Sequence, residues 1–315
     1  MPGWKKMFWD GLVPPVSVTA SLRSQRTAPE TNPGKTLLVS NPSDPPAVLL
    51  LALKHLVTLL KVDPEGELHV SRHFGVRHPA IHETLELPVD QKLSAFLTSE
   101  QYKTVVFISP EPSSGKTMAA YLAGVKNRVG FARGNSKSFL NHRISYLDGK
   151  VHYAFQIKNL LENFSGQSLE PGYPEWQRYP EVQEDISAFL SQCRLFRFAV
   201  ISASPENLEE AHAVRKYLSL PSVIVSPQLR DDIPCIFPFP VWSHVMQVVA
   251  ESRLVVSLGG YAGHLAASFG IPVVSLYHQE RDSMFVPFAP GSRQILFVSV
   301  DQSGEEISSA VLRLL

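Results

Sequence analysis

The sequence predicts an α/β protein of two Rossmann-like domains, each a parallel sheet flanked by helices. Short apolar runs rich in β-branched side chains alternate with helical patterns along most of the chain, the order that builds parallel strands joined by helical crossovers. The clearest instance is Leu254-Val255-Val256-Ser257-Leu258, then Gly259-Gly260, a small-residue helix through Phe269, and Val273-Val274-Ser275-Leu276. Between two alternating halves lies Gly166 to Pro180, rich in Pro, Gly and Tyr, a composition that marks a linker. With 315 residues there is room for two domains of about 150 each.

Residues 1–34 read as an extension. Trp4, Met7, Phe8, Trp9 and Leu12 with Lys5 and Lys6 make a short amphipathic stretch, and a Pro, Ser and Thr-rich region follows through Pro33. One reading rests its aromatic side chains on the inner face of the cytoplasmic membrane. The other leaves it packed on the protein body or without fixed structure. No apolar core leads to a small-residue cleavage site, so a signal peptide is not expected.

The first domain spans residues 35–165. Thr36 to Ser40 reads as a strand, Pro42 to Pro46 as a turn, and Ala47 to Lys61 as a helix with an almost continuous apolar surface. A second strand, Glu67 to Val70, leads through a His-rich segment to Leu85-Glu86-Leu87. Thr104 to Ser109 is a buried strand, Ser113 to Gly124 a helix, Arg128 to Phe131 a short strand and Val151 to Phe164 a helix. Residues 166–193 form the linker and a helix from Val182 to Cys193. The second domain, residues 194–315, then reads as the strand Phe198 to Ser202, a helix Asn207 to Leu218, a strand Ser222 to Ser226, a helix Trp242 to Ser252, and the glycine-turn unit.

Composition narrows the function. Twenty-nine basic residues balance 29 acidic ones and 44% of the chain is hydrophobic, which gives no global drive toward nucleic acid and no signature of disorder. Cys193 and Cys235 are too few for a disulfide framework, and no apolar run approaches about 18 residues, so a cytoplasmic setting without a membrane span is expected. A strand, a glycine turn and a helix in sequence form a diphosphate site, because the N–H groups at a helix start are unsatisfied and glycines let a phosphate come close. His264, in the first turn of that helix, points at the same place.

Three other signals carry a structural alternative. Ser113-Ser114-Gly115-Lys116-Thr117 ends like a phosphate-binding loop, but Pro110 stands where its first glycine belongs, which leaves a strand-to-helix turn capped by Ser113 or Ser114. His69, His73, His78 and His82 recur at four-residue spacing, as zinc ligands on a helix do. Gly75 and Pro79 interrupt them, so a solvated His-rich helix and turn is the reading and no metal ligand is assigned. Lys126, Arg128, Arg133, Lys137 and Arg143 form a basic stretch without an acid, suited to an anionic sugar or to a solvated loop.

Arg128-Val129-Gly130-Phe131, then His152 ahead of Asn159-Leu160-Leu161, and His264-Leu265-Ala266-Ala267-Ser268-Phe269-Gly270-Ile271-Pro272-Val273-Val274 together resemble the bacterial heptosyltransferases of glycosyltransferase family 9. The likeness runs over roughly residues 35 to 295. It implies a GT-B fold, two Rossmann-like domains with parallel sheets facing a central cleft. It also implies an inverting transfer of a heptose-like sugar, without a bound metal or other cofactor, from a nucleotide-diphosphate donor, commonly ADP-linked, to a lipopolysaccharide or cell-surface glycan acceptor. Carried onto this chain, Ser202, Ser204, Gly259, Gly260, Gly263 and His264 would hold the nucleotide sugar. Asn41, Ser43, Arg128, Arg133 and Lys137 would hold an anionic glycan or glycolipid acceptor.

This chain departs from the family at chemically important places. The family's Gly-Asp pair, whose carboxylate is the general base, falls on Pro46-Ala47; Asp44, three residues earlier, is the substitute base, or else a turn or cap residue. The family's Asp, Ser/Thr and Gly before the last helix fall on Gly259, Gly260 and Tyr261. Its lysine after the first strand of the second domain has no counterpart in Ser202-Ala203-Ser204-Pro205-Glu206-Asn207. A transferase is therefore weighed against a non-catalytic GT-B protein that binds a nucleotide, a glycan or a partner, and, more remotely, against a sugar-nucleotide epimerase.

Overall fold

The computed structural model describes residues 34–41, 43–60, 66–71, 76–88, 90–147, 151–176, 178–226, 236–238, 241–277, 285–288, 295–299 and 304–315. The amphipathic stretch Trp4 to Leu12, His73 and Cys235 lie outside them. The chain divides into two compact units, almost all of the described residues up to Pro174 forming the first and Glu175–Leu315 the second.

The first unit runs β1 (Thr36–Val39), α1 (Pro46–Leu60), β2 (Leu68–Ser71), β3 (Glu83–Leu85), α2 (Asp90–Ser99), β4 (Thr104–Phe107), α3 (Ser114–Leu122), β5 (Asn127–Phe131), β6 (His142–Ile144) and α4 (Tyr153–Ser165). The sheet order is β3-β2-β1-β4-β5-β6 and every pairing is parallel. Every residue of β1, β2 and β4 is buried, as expected of strands covered on both faces, whose sequences are continuous apolar runs. The apolar surface of α1 has the same cause, since Ala47 through Leu53 are all buried with no measurable exposure; a helix apolar all round belongs inside. On one face Leu93 and Leu97 of α2 and Ala119 and Ala120 of α3 pack on Leu37, Val39, Val105 and Phe107. Ser113 caps α3 by accepting from the Lys116 N–H at 3.3 Å, so this segment is the strand-to-helix turn and not a phosphate loop.

The His-rich segment is corrected by the structure. His69 lies in β2, buried, with Nδ1 2.9 Å from the Tyr102 hydroxyl. His82 Nδ1 accepts from the Leu68 N–H at 3.0 Å, directly before β3. Among the described residues the segment is therefore strand and turn, with His69, His78 and His82 used as local hydrogen-bond partners. Pairing of backbone groups across the sheet outweighed the four-residue spacing.

His55 on α1 is 1% exposed and its Nε2 finds no hydrogen-bond partner among the described residues. Burial, reinforced by Lys54 and Lys158, lowers its pKa from 6.5 to about 4. Its folded pKa lies below its unfolded one, so the unfolded state binds more protons and stability is lost as pH falls through that window. The melting temperature of the first unit is expected to drop between pH 6.5 and 4, and His55→Leu to remove much of that drop. Thermal melts of both proteins across this range check it, and equal acid sensitivity would contradict it.

The second unit runs α5 (Gln183–Gln192), β7 (Ala199–Ala203), α6 (Leu208–Val214), β8 (Ser222–Val225), α7 (Trp242–Glu251), β9 (Leu254–Leu258), α8 (Ala262–Ser268), β10 (Val273–Tyr277), β11 (Ile295–Ser299) and α9 (Gly304–Leu314). Its sheet is again parallel, in the order β11-β10-β9-β7-β8. Ile201, Ala203, Val256, Leu258, Val274 and Leu276 share one core with Leu208 and Ala211 of α6 and Ile307, Ala310 and Val311 of α9. The helix expected over Asn207 to Leu218 is shorter than its pattern, with 3-10 turns at Pro205–Asn207 and Arg215–Tyr217 on either side of α6.

Candidate functional site

In an open parallel sheet the chain leaves a crevice at the carboxyl ends of the strands where the strand order reverses, and ligands bind there. That point lies between β1 and β4 in the first sheet and between β7 and β9 in the second. The residues following those four strands include most of the sequence-predicted site.

After β1 and β4, the loops are tied together by polar side chains. The Asp44 N–H donates to the Asn41 carbonyl at 3.0 Å, closing a turn, and Asp44 Oδ2 accepts from the Asn41 N–H at 2.7 Å. The Ser109 hydroxyl donates to Asp44 Oδ1 at 2.9 Å. Asn41 Nδ2 donates to Ser109 Oγ and to the Glu111 carbonyl, both at 2.8 Å. Arg133, two residues beyond β5, pairs with Glu111 at 2.9 Å. Asn41, Asp44 and Arg133 are thus brought to one strand edge, with Ser43 exposed in the same turn.

Ser109 was not among the sequence-predicted residues; its position two residues past the end of β4, as Asn41 stands two past β1, is the signal that would have found it. Asp44 is buried, and burial raises its pKa above the usual aspartate value against the opposing pull of the Asn41 N–H, the Ser109 hydroxyl and Lys116.

Two predicted acceptor residues stand elsewhere. Arg128 is the second residue of β5, near the end where that strand begins, and its guanidinium donates to the carbonyls of Phe139 and Val125. Lys137 is exposed on the 3-10 turn Gly134–Ser138, which packs against α3. Neither bonds to the Asn41–Asp44 turn.

In the second unit the ends of β7, β9 and β10 open into a pocket of about 300 Å³. Ser204, Glu206, Asn207, Ser257, Gly259, Gly260 and His264 line it, with Phe285, Val286 and Pro287 along one side. Gly259 and Gly260 have φ of +91° and +75°, the left-handed region in which a Cβ is strained. The Gly259 carbonyl accepts from Ser202 Oγ at 2.9 Å and Ser257 Oγ at 3.3 Å, and the Leu258 carbonyl from Asn207 Nδ2 at 3.0 Å. In a trans peptide the N–H points opposite its carbonyl, so these bonds fix the directions of the Gly259 and Gly260 N–H groups. Gly260 at positive φ is followed by Tyr261 in the right-handed region. Such an alternation makes successive N–H groups converge on one anion-sized concavity.

Ser202 therefore supports the turn from behind. Ser204 faces differently: its Oγ is buried, lies 4.0 Å from where a Gly259 Cβ would stand, and finds no hydrogen-bond partner among the described residues. Tyr261, at the family's glycine position, anchors the turn. Its ring centroid lies 5.2 Å from that of Trp242, which lies 5.2 Å from Trp176, and burial pushes its hydroxyl up to about 12. No Lys or Arg lines the pocket among the described residues, and its charged member is Glu206. Among the described residues no group of three His, Cys, Asp or Glu side chains could hold a metal ion, and no helix is long and apolar enough to cross a membrane.

No family model and no curated protein matches the sequence. Solved structures do match. A glycosyl transferase family 9 protein from Veillonella parvula superimposes with a TM-score of 0.64 at 14% identity, over 90% of this chain and 98% of that one. ADP-heptose lipopolysaccharide heptosyltransferase II from E. coli gives 0.59 at 14% identity, over 89% and 98%. E. coli heptosyltransferase WaaC with ADP gives 0.59 at 14% identity, over 89% and 100%. At such identities the likeness establishes the fold: this chain has the α/β GT-B fold of the heptosyltransferase type, as its residues 264–274 suggested.

Proposed function

We propose that this protein is a glycosyltransferase of family 9 type, moving a heptose-like sugar from an ADP-linked donor to an anionic cell-surface glycan such as a lipopolysaccharide core, in the cytoplasm. One observation carries the reading: the second-unit pocket has a buried Ser204 hydroxyl with no hydrogen-bond partner among the described residues beside a glycine turn whose peptide orientations are fixed by carbonyl hydrogen bonds. A diphosphate supplies the acceptors such groups lack. His264 and the Gly263 backbone sit at the same turn, and Glu206 is placed to accept from sugar or ribose hydroxyls.

In the first unit Asp44 is the base. Each of its oxygens accepts one hydrogen bond, and a carboxylate has further lone pairs with which to take the proton of an acceptor hydroxyl. As the acceptor oxygen bonds to the anomeric carbon, the bond from that carbon to the diphosphate breaks and the carbon inverts. The leaving charge falls on the phosphates, where backbone N–H groups and hydroxyls stabilise it without a required metal. Arg133, already beside this edge, suits a carboxylated or phosphorylated acceptor.

A second reading, a non-catalytic nucleotide- or glycan-binding protein, is favoured by the absence of a Lys or Arg from the pocket lining among the described residues. Calorimetry with ADP, UDP and GDP sugars followed by a nucleotide-release assay separates the two. Turnover supports transfer, binding without turnover the second reading, and no binding defeats both. Ser204→Ala sharpens the test because its two effects have opposite signs. Removing an unbonded buried hydroxyl is expected to leave the free protein as stable or up to about 1 kcal/mol more stable, while ADP affinity falls about fivefold to twentyfold. Loss of stability with unchanged affinity would show that this hydroxyl does not face the ligand.

A further inference from the structure

Helix α9 buries one side and presents the other to solvent. Ile307, Ala310 and Val311 belong to the core of the second unit, with Leu314 packed against it. The opposite side carries Glu305, Ser308, Ser309, Leu312 and Arg313, which with Tyr217 line an open groove of about 530 Å³. Leu312 is 65%, Leu315 55% and Tyr217 43% exposed, and large apolar side chains grouped in this way mark a contact site. One wall of the groove is firm. The Tyr217 ring lies against the Gly304 backbone where a Cβ would stand, and Ser308 Oγ donates to the Tyr217 carbonyl at 2.8 Å.

The charge on this side is divided between the two ends of the helix. Glu305 and Glu306 stand in its first turn and Arg313 in its last. All three are exposed, and none forms an ion pair among the described residues.

We propose that this side of α9 is the contact of a symmetric dimer, in which the α9 helices of two copies of the chain pair antiparallel across Ser309. Charge complementarity selects a second copy as the occupant. Ser309 is equally spaced in sequence from Glu305 and Arg313, so a two-fold axis through it brings Arg313 of each copy level with the two acids of the other. A partner surface of one charge would suit only one end of the groove. Helix α9 itself has its acids first and its base last, the order that an antiparallel mate requires. The same placement sets Leu312 of each copy within a turn of the other's Gly304, so that it enters the groove beside Tyr217, and puts small serines where the two backbones come closest. One helix from each copy makes a contact below about 1,200 Å² in total, the size of a weak and reversible association. The groove shares no lining residue with the pocket around Gly259 and Gly260, so dimer formation and nucleotide binding are separable.

Sedimentation velocity of the full chain over about 1 to 200 μM, a range suited to so small a contact, tests it. The sedimentation coefficient is expected to rise toward that of a dimer with concentration and to fall back with added salt, which screens the charges at the helix ends. Leu312→Ser should weaken the association at least about tenfold, by removing apolar area from both halves of the contact. Arg313→Glu, and separately Glu305→Lys with Glu306→Lys, should each weaken it about tenfold or more, because each sets like charges opposite one another twice. Mixed in equal amounts, these two charge variants should associate as tightly as the parent, since the lysines of one then face the glutamate of the other and the arginine faces the unchanged acids. All the altered side chains are exposed, so circular dichroism matching the parent's identifies folded variants, and the Leu312→Ser result stands by itself where a charge variant does not fold. A parent that stays monomeric across the range, association untouched by Leu312→Ser, or folded charge variants that do not restore one another would overturn the proposal.

Discussion

Asp44→Asn is expected to slow sugar transfer by about 10²–10⁴-fold, the usual contribution of a positioned general base, while ADP affinity stays within about twofold because asparagine keeps the shape of the side chain. Asparagine fills the same space but takes no proton at neutral pH. Its carbonyl can keep the 2.7 Å bond from the Asn41 N–H, and the Ser109 hydroxyl can turn to accept from the new amide. Asp44→Ala differs, since it leaves the Asn41 N–H and the Ser109 hydroxyl without their partner and should cost about 1–3 kcal/mol of stability.

The sign of the pH effect separates chemistry from folding. The folded pKa of Asp44 is raised by burial, so its favourable contribution is complete below the unfolded aspartate value and is lost as pH rises through the folded one. Asp44→Asn should therefore gain melting temperature relative to the parent at pH 7 and lose that gain near pH 3. Steady-state release assays and melts at the two pH values are the measurements. Full transfer activity in Asp44→Asn would remove Asp44 as the base and leave the carboxylate a purely structural closure of the turn.

What could be read from the chain follows from how locally each feature is encoded. The β9, α8 and β10 unit was legible because a β-branched run, two glycines at a turn and a small-residue helix are neighbours in sequence. The buried helix α1 was legible for the same reason. By contrast α2, with its largely polar surface, and the marginal strands β6 and β11 are held by tertiary packing, and their patterns are weak on their own.

The first-unit network joins Asn41 and Asp44 to Ser109 across more than sixty residues, and no local pattern announces it. Strand order supplies it, since β1 and β4 become neighbours only once the sheet reverses between them. Strand order likewise places Arg128, read from composition as an acceptor residue, near the other end of β5. Ser204 lies between these cases: its sequence position was readable, but its unbonded hydroxyl is a property of the packed pocket.

Gly263→Ala is expected to be damaging out of proportion to the single methyl group it adds. A Cβ there would stand 2.6 Å from Ser257 Oγ, 2.7 Å from Ser257 Cβ and 3.0 Å from Pro287 Cγ. Rotating Ser257 does not relieve the contact, because its own Cβ is one of the colliding atoms, so α8 must move away from β9. Alanine's better helix propensity returns at most about 1 kcal/mol, against an overpacking cost of about 1–3 kcal/mol. Because Ser257 Oγ also supports the Gly259 carbonyl, the displacement loosens the turn whose N–H groups are proposed to hold the diphosphate. The melting temperature of this unit should fall by several degrees and ADP affinity by about tenfold or more. Ser257→Gly in the same chain removes the principal obstacle, so the double variant should recover a large part of both losses, a coupling that distant substitutions do not show. If Gly263→Ala melts and binds like the parent, α8 does not approach β9 this closely and the pocket geometry behind the functional proposal is wrong.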